Sequence, residues 1–124
     1  MNAIFQAQQA YAPKNSPFRT GRSAEVQLFG QITNRLRKAS QNLPASFPDL
    51  VTALHENRRM WHHFAAEVAD DDNALPRDLR ARLFYLAEFT DHHSRLALKN
   101  EADVSLLIEI NTSVMRGLNS QEAS

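Results

Sequence analysis

Five prolines divide the chain into segments in which apolar residues recur every three or four positions. This spacing places apolar side chains on one face of an α-helix, whereas a half-buried strand would need strict alternation. The segments that follow Pro17, Pro48 and Pro76 each carry such a stripe, and a further stripe follows Asn100. The pattern predicts an all-α protein, a small helical bundle of four to five helices.

Capping residues and helix breakers mark the predicted helix ends. A weak helix is predicted over residues 3–11, and we expect the polar loop at 14–17 to be the most mobile stretch. Ser23 is the expected N-cap of the second helix, and Asp103 that of the fifth. Gly117 is the expected stop of the fifth helix.

The third and fourth helices are predicted to be joined by an acidic turn. Pro48 opens the third helix, and the acidic run 70–72 follows it. Because carboxylates are unfavourable at a helix C-terminus, we expect this run to cap the fourth helix, which has Pro76 in or near its first turn. The predicted inner face of the fourth helix consists of Leu79, Leu83, Leu86 and Phe89.

Composition excludes several classes of protein. With 124 residues, 43% of them hydrophobic, the chain can form one core. It has no cysteine, which excludes disulfides, Cys-ligated zinc, iron–sulfur clusters and thiol chemistry. No run approaches the ~20 apolar residues that span a bilayer, so we expect a cytoplasmic protein without membrane insertion. We predict a single domain over residues 1–124, weakly ordered up to about residue 21 and frayed over 119–124.

Charge is divided unevenly along the chain. The 14 basic and 14 acidic residues cancel overall. Residues 1–43 nevertheless hold six basic and one acidic residue, while 44–124 hold eight basic and thirteen acidic ones. Either the two parts attract each other within the fold, or the basic part contacts a partner.

No catalytic or metal-binding pattern is recognisable. Four of the five histidines form two adjacent pairs, His62–His63 and His92–His93. Neighbours on a helix point about 100° apart, so neither pair chelates well alone. A metal site between the two pairs and partly exposed, hydrogen-bonded histidines are the two interpretations, and we favour the second. There is no serine-nucleophile elbow and no glycine-rich phosphate loop. We therefore predict a non-enzyme with no catalytic residues, cofactor or metal.

Some residues in the apolar stripes have two interpretations. Asn57 and Asn111 either fix the register of packed helices through hydrogen bonds or face a partner. Trp61 forms a heptad-like stripe with Leu54 and Val68, and it is either core or an interface anchor. Met115 is core or groove lining in the same way.

Four segments of the chain carry a family resemblance. They begin at Asn57 (NxxMW), at Asn73 (NxLPxxLRA), at Leu86 (LAEFT, ending at His93 and Ser94) and at Leu107 (LIEINTxVMRGL). In this order and spacing they resemble the FlaF family of flagellar biosynthesis regulators from alphaproteobacteria, over about residues 10–118. The chain departs from the family at Asn100, where we expect a glycine.

The resemblance implies an intracellular, non-enzymatic protein required for flagellin production and filament assembly. Family members are associated with flagellin, as its secretion chaperone or as a positive regulator, and are paired functionally with FlbT, a regulator of flagellin expression. We hypothesise that a groove between two helices hides one amphipathic flagellin helix. The candidate partner-binding residues are Asn57, Trp61, Arg80, Leu86, His93, Asn111 and Met115.

Other partners stay open beside flagellin. A post-transcriptional regulator could contact the flagellin message through basic residues of the front part, namely Arg19, Arg22, Arg35, Arg37 and Lys38. No RNA-recognition motif accompanies them, and Phe18 and Phe29 are the sparse aromatic residues nearby, so we favour the chaperone. An adaptor for FlbT or for the export apparatus would share the same fold.

Overall fold

A computed structural model of the protein describes residues 21–43 and 45–123, which form four helices. They are α1 (Gly21–Ser40), α2 (Phe47–Ala69), α3 (Arg77–Leu98) and α4 (Ser105–Ala123). These described residues contain no strand, and the predicted all-α bundle is confirmed. The helix predicted over 3–11 and the loop at 14–17 lie outside the described residues.

The helices pack unequally on one another. α2 packs against both α1 and α3, and α1 also packs against α4. α3 meets α4 over a short stretch only, and among the described helices it does not pack on α1. Each described helix therefore packs on two neighbours, and the outer flank of the α2–α3 pair, like that of the other pairs, has no covering helix in the described part of the chain.

The core is centred on an aromatic cluster between α1 and α2. The rings of Phe29, Trp61 and Phe64 meet edge to face, with centroids 5.4 to 5.9 Å apart, a geometry that aromatic pairs prefer. The heptad-like stripe predicted on α2 is confirmed, because Leu54, Trp61 and Val68 are all buried. Towards the other end of the bundle the core is formed mainly by leucines, including Leu36, Leu50, Leu54 and Leu107.

α3 presents small residues to the core. Its buried residues are Leu83, Ala87, Thr90, Ser94 and Ala97. The predicted inner face is right for Leu83, but Leu79, Leu86 and Phe89 are only partly buried. Small side chains allow two helix axes to approach closely, so the larger residues of α3 lie along its edges. Periodicity of large apolar residues alone did not predict this face.

Two predicted helix ends are wrong. α1 begins at Gly21, so Ser23 lies inside the helix and is not its N-cap. α4 runs as far as Ala123, so Gly117 does not stop it, and the segment predicted as a frayed tail continues the helix through residue 123. A helical glycine costs only about 1 kcal/mol relative to alanine, which the packed residues on either side offset.

The acidic run 70–72 does not cap α3 as predicted, because the N-cap of that helix is Pro76. The run instead forms the turn that ends α2, with Asp70 as the C-cap. Asn73 closes this turn: its Nδ2 donates to the Glu67 carbonyl oxygen at 3.1 Å, and its Oδ1 accepts the N–H of Leu75 at 3.0 Å. Side-chain hydrogen bonds of this kind favour turns over helix.

The connection between α3 and α4 is close to the prediction. Asn100 ends α3 in the left-handed region, with φ of 61°. Its N–H donates to the Ala97 carbonyl at 3.0 Å, and the N–H of Glu101 donates to the Leu96 carbonyl at 2.8 Å, the pattern of a Schellman motif. Asparagine tolerates this backbone conformation better than most residues, which explains how it stands where the family resemblance leads us to expect glycine.

Asp103 caps the last helix, as its position predicted. Its Oδ1 accepts the N–H of Ser105 at 2.9 Å, which satisfies one of the donors at the start of α4. This hydrogen bond from the Ser105 backbone lowers the pKa of the Asp103 carboxyl. The carboxylate therefore stays charged where the helix dipole favours a negative group.

Candidate functional site

Three of the predicted site residues form one buried hydrogen-bond network. Asn111 of α4 accepts the indole N–H of Trp61 at 2.8 Å through its Oδ1. Its Nδ2 donates to Asn57 Oδ1 at 2.8 Å and to Thr33 Oγ1 at 3.0 Å. All four side chains are at most 1% exposed, so this neutral network joins α1, α2 and α4 inside the core. For both asparagines the structure agrees with a role in helix register.

The buried side-chain atoms without a hydrogen-bond partner among the described residues include Asn57 Nδ2, which belongs to this network, and Thr90 Oγ1 of α3. A buried polar group without a hydrogen bond costs about 1–3 kcal/mol of stability. The two atoms therefore identify where the polar part of the core is not optimised for stability.

Arg80 holds the end of α2. Its Nη1 donates to the backbone carbonyls of Val68 at 3.3 Å and of Asp70 at 2.8 Å. These carbonyls have no partner within α2, and a cation is favourable at a helix C-terminus. Arg80 thus stabilises the α2–α3 turn, and its contact with a partner stays a prediction.

The other predicted site residues lie on α3 and α4. Leu86 and Met115 are partly buried and pack against the part of the core that contains the aromatic cluster. His93 stacks on the ring of Phe89 at 5.6 Å between centroids, and its Nε2 lies 2.8 Å from the Asp103 carbonyl oxygen. The structure thus does not bring the seven predicted residues to one open surface, because three of them are in the core. Partner binding by Trp61 would require the bundle to open.

A charged cluster that was not predicted lies at the α2–α3 contact, around Asp91. Its Oδ1 lies 3.0 Å from Arg58 Nε and 2.9 Å from His62 Nε2, both on α2. Its Oδ2 accepts hydrogen bonds from Arg95, one turn further along α3. Burial raises the pKa of the Asp91 carboxyl, but hydrogen bonds from Arg95, Arg58 and His62 outweigh it and lower the pKa to about 2. Asp91 is therefore ionised at any physiological pH.

An open groove of about 480 Å³ lies beside this cluster, on the uncovered flank of α2 and α3. Phe84 forms its aromatic wall and is 42% exposed. The groove is lined by both apolar and charged side chains, a composition that suits a protein partner better than a small metabolite. The lining residues are His62, Ala65, Phe84, Ala87, Glu88, Asp91 and Arg95.

The basic residues of α1 are only partly available to a partner. Arg35 Nη1 forms a 2.6 Å ion pair with Glu56 of α2, which supports attraction between the basic and acidic parts of the chain for this residue. Arg37 and Lys38 are exposed in the last turn of α1. Arg19 and Phe18 lie outside the described residues.

Sequence reasoning missed Arg58, Phe84 and Asp91 as candidate site residues. The four-residue spacing of Asp91 and Arg95 on a predicted helix was a local signal for their ion pair. Arg58, by contrast, is 33 positions from Asp91 along the chain, and no local pattern indicates that contact. Phe84 lies outside the predicted inner face of its helix, and an apolar residue off that face was the local signal for it.

Within 21–43 and 45–123 there is no group of three or more histidine, aspartate or glutamate residues placed to hold a metal ion. His62 Nε2 lies at hydrogen-bonding distance from Asp91 Oδ1, and His93 Nε2 from the Asp103 carbonyl oxygen. In the described part of the chain, no helix combines the length and apolar character needed to cross a bilayer.

Comparison with known proteins identifies the family. Neither a curated protein nor a solved structure matches the chain. The family model of flagellar protein FlaF matches residues 7–118, all but six residues at each end. The match includes the four segments that carry the resemblance. The chain therefore belongs to the FlaF family of flagellar proteins.

Proposed function

We propose that this flagellar protein is a cytoplasmic chaperone that binds flagellin before its export. The observation that carries the proposal is the uncovered α2–α3 flank, where Phe84 and the groove beside it present apolar surface to solvent. Exposed apolar side chains beside a groove favour binding of another protein. In a family associated with flagellin, the amphipathic helices of flagellin are the natural candidate.

Binding of such a helix would keep flagellin from associating with itself. An amphipathic helix buries its apolar stripe in a groove and leaves its polar face in water. The chaperone would need no chemistry beyond this contact. Its release would be driven by competition from the export machinery or from the growing filament.

The test is chromatography with light scattering on the purified chain, mixed with monomeric flagellin from its own organism at low and at high salt. A stable complex in both salts supports the proposal, because apolar contacts are much less sensitive to salt than contacts with phosphates. Absence of a complex in both salts contradicts it.

The same experiment with the flagellin message addresses the regulatory alternative. Exposed Arg37 and Lys38 are the α1 residues that favour it, and reversal of both charges should then abolish binding. Strongly salt-dependent RNA binding without a flagellin complex would favour a post-transcriptional regulator. Binding of FlbT alone would favour an adaptor.

A further inference from the structure

The uncovered flank extends beyond the groove along both helices. Successive residues of a helix are about 100° apart when it is viewed along its axis. In this view the α2 residues on the uncovered flank fall within an arc of about 60°. On α3 the positions that face them span a similar arc. The side chains on the two arcs are Phe47, Val51, Arg58, His62 and Ala65 on α2, with Phe84, Glu88, Asp91 and Arg95 on α3.

This flank, which we call the docking face, has apolar ends and a charged centre. Phe47 and Val51 lie at one end and are 41% and 39% exposed. Phe84 lies at the other end, beyond the cluster around Asp91. From Val51 to Ala65 the face is about 21 Å long, the length of a helix of about 14 residues.

The charged groups at the centre of the docking face determine which partner side chain can bind there. Two guanidinium groups and an imidazole surround the one carboxylate of Asp91. Arg95 and His62 have most of their side chains in solvent, at 62% and 58% exposure, whereas that of Asp91 is 14% exposed. The centre therefore presents the Arg95 guanidinium outwards. Glu88, one turn from Asp91 towards Phe84, adds a negative charge on that side only.

From these contacts we infer that the docking face binds one amphipathic α-helix of the partner, with an acidic side chain at its centre and apolar side chains about two turns to either side. The inference rests on the proposed function, since the partner it describes is the flagellin segment held by the chaperone. The acidic side chain pairs with Arg95. The apolar side chains contact Phe84 at one end and Val51 at the other.

A second copy of the chain fits this face less well than a single helix. A face about 21 Å long and two helices wide offers about 400 Å², and a stable interface needs about 800 Å² on each partner. A lone helix buries its apolar stripe between two helices without needing that area.

The test measures binding of the organism's flagellin to the full chain and to surface variants. The double variant Val51→Ser/Phe84→Ser should bind at least about tenfold more weakly, since a few apolar anchors contribute most of the binding energy of such contacts. Tyr85→Ser is the matched control, because Tyr85 is more exposed than its neighbour Phe84 but lies outside the groove. Its affinity should be unchanged, and thermal unfolding should show all variants folded.

A double-mutant cycle tests the acidic contact. Arg95→Gln should weaken flagellin binding about three- to fivefold, the effect of an exposed ion pair. Arg82→Gln, at an exposed position of α3 outside the groove, should not. Once the acidic residue of the bound flagellin helix is changed to glutamine, Arg95→Gln should have no further effect. Strictly additive effects would overturn the acidic contact.

The outcomes separate the inference from the proposed function. If flagellin binds the wild-type chain and the double serine variant equally well, the docking face is wrong while the chaperone stands. If flagellin does not bind the wild-type chain in either salt, both fail. If light scattering shows a wild-type dimer that the double serine variant converts to monomer, the face is a self-interface and the inference is overturned.

Discussion

In the described part of the chain, α2 contributes to one buried polar cluster and to one at the surface, and the two are built from different kinds of group. Asn111 centres the buried one, with amide, hydroxyl and indole groups that are all neutral. Asp91 centres the other, with ionised groups at the surface of the α2–α3 pair. Neutral groups can be buried once they are hydrogen-bonded, whereas burial of ions costs far more.

This difference indicates which cluster serves the fold and which can serve a partner. The cluster of Asn111 has its hydrogen bonds directed inwards, so it selects one register for α1, α2 and α4. The cluster of Asp91 keeps Arg95 mostly in solvent, where a further hydrogen bond can form. We expect substitutions in the first cluster to affect stability, and substitutions beside the second to affect binding.

The largest effect is expected from Asn111→Leu. This change leaves the indole N–H of Trp61, Asn57 Oδ1 and Thr33 Oγ1 without their present partner. We expect a loss of about 4 kcal/mol in the free energy of unfolding, measured by urea denaturation. Asn34→Leu, at an exposed position of α1, is the control and should change it by less than about 0.5 kcal/mol. A loss below about 1 kcal/mol for Asn111→Leu would remove the distinction between the clusters.

Asp91→Asn should show the contribution of the surface cluster and its dependence on pH. The pKa of Asp91 is lowered from 3.8 to about 2 in the folded state, so the carboxylate stabilises the fold by about 2 kcal/mol above pH 4. Because the folded pKa is the lower one, this contribution is lost as the pH falls from 4 to 2. Urea unfolding of the wild-type protein and the variant at pH 7, 4, 3 and 2 measures this. The difference between their free energies of unfolding should shrink as the pH falls from 4 to 2. A constant difference would contradict the assignment.

Two isosteric changes at threonines sharpen the comparison inside the core. Thr33 Oγ1 accepts a hydrogen bond from Asn111 and donates one to the Phe29 carbonyl, so Thr33→Val should cost about 1–2 kcal/mol. Thr90 Oγ1 has no partner among the described residues, so Thr90→Val should be neutral or stabilising by about 1 kcal/mol. Equal losses in thermal or urea unfolding would indicate that Thr90 has a hydrogen-bond partner after all.

The smallest effects on stability are expected on the docking face. Val51→Ser and Phe84→Ser should each lower the free energy of unfolding by less than about 1 kcal/mol, because both side chains are substantially exposed. Circular dichroism during thermal unfolding measures this. A larger loss for either would mean that the residue supports the fold, and its effect on flagellin binding could no longer be assigned to the docking face.

Helical periodicity was sufficient to predict the fold class and the stripe of Leu54, Trp61 and Val68 on α2. All three of these side chains are buried. The method failed on α3 because burial there depends on the close approach of α2, which selects Ala87 and Ser94 over larger residues. A window on one helix contains no information about the size of the neighbour that packs against it.

The candidate site was predictable only in part for the same reason. Asn57 and Asn111 were identified because polar residues in apolar stripes are unusual, but their hydrogen bond joins positions 54 residues apart. Ion pairs across helices, such as Arg58 with Asp91, have no local signal. The family resemblance supplied the flagellar context, which no pattern of charge or hydropathy in this chain would have indicated.

The chain's single tryptophan, Trp61, is fully buried and donates its indole N–H to Asn111. Its fluorescence is therefore a built-in optical reporter of the core, with emission at the short wavelengths typical of a dry environment. A partner that binds to the outer surface of α2 and α3 leaves the emission wavelength of Trp61 unchanged. A partner that inserts between the helices admits water or breaks the indole hydrogen bond, and the emission moves to the red. One titration followed at a single wavelength thus distinguishes attachment to a closed bundle from entry into an opened one.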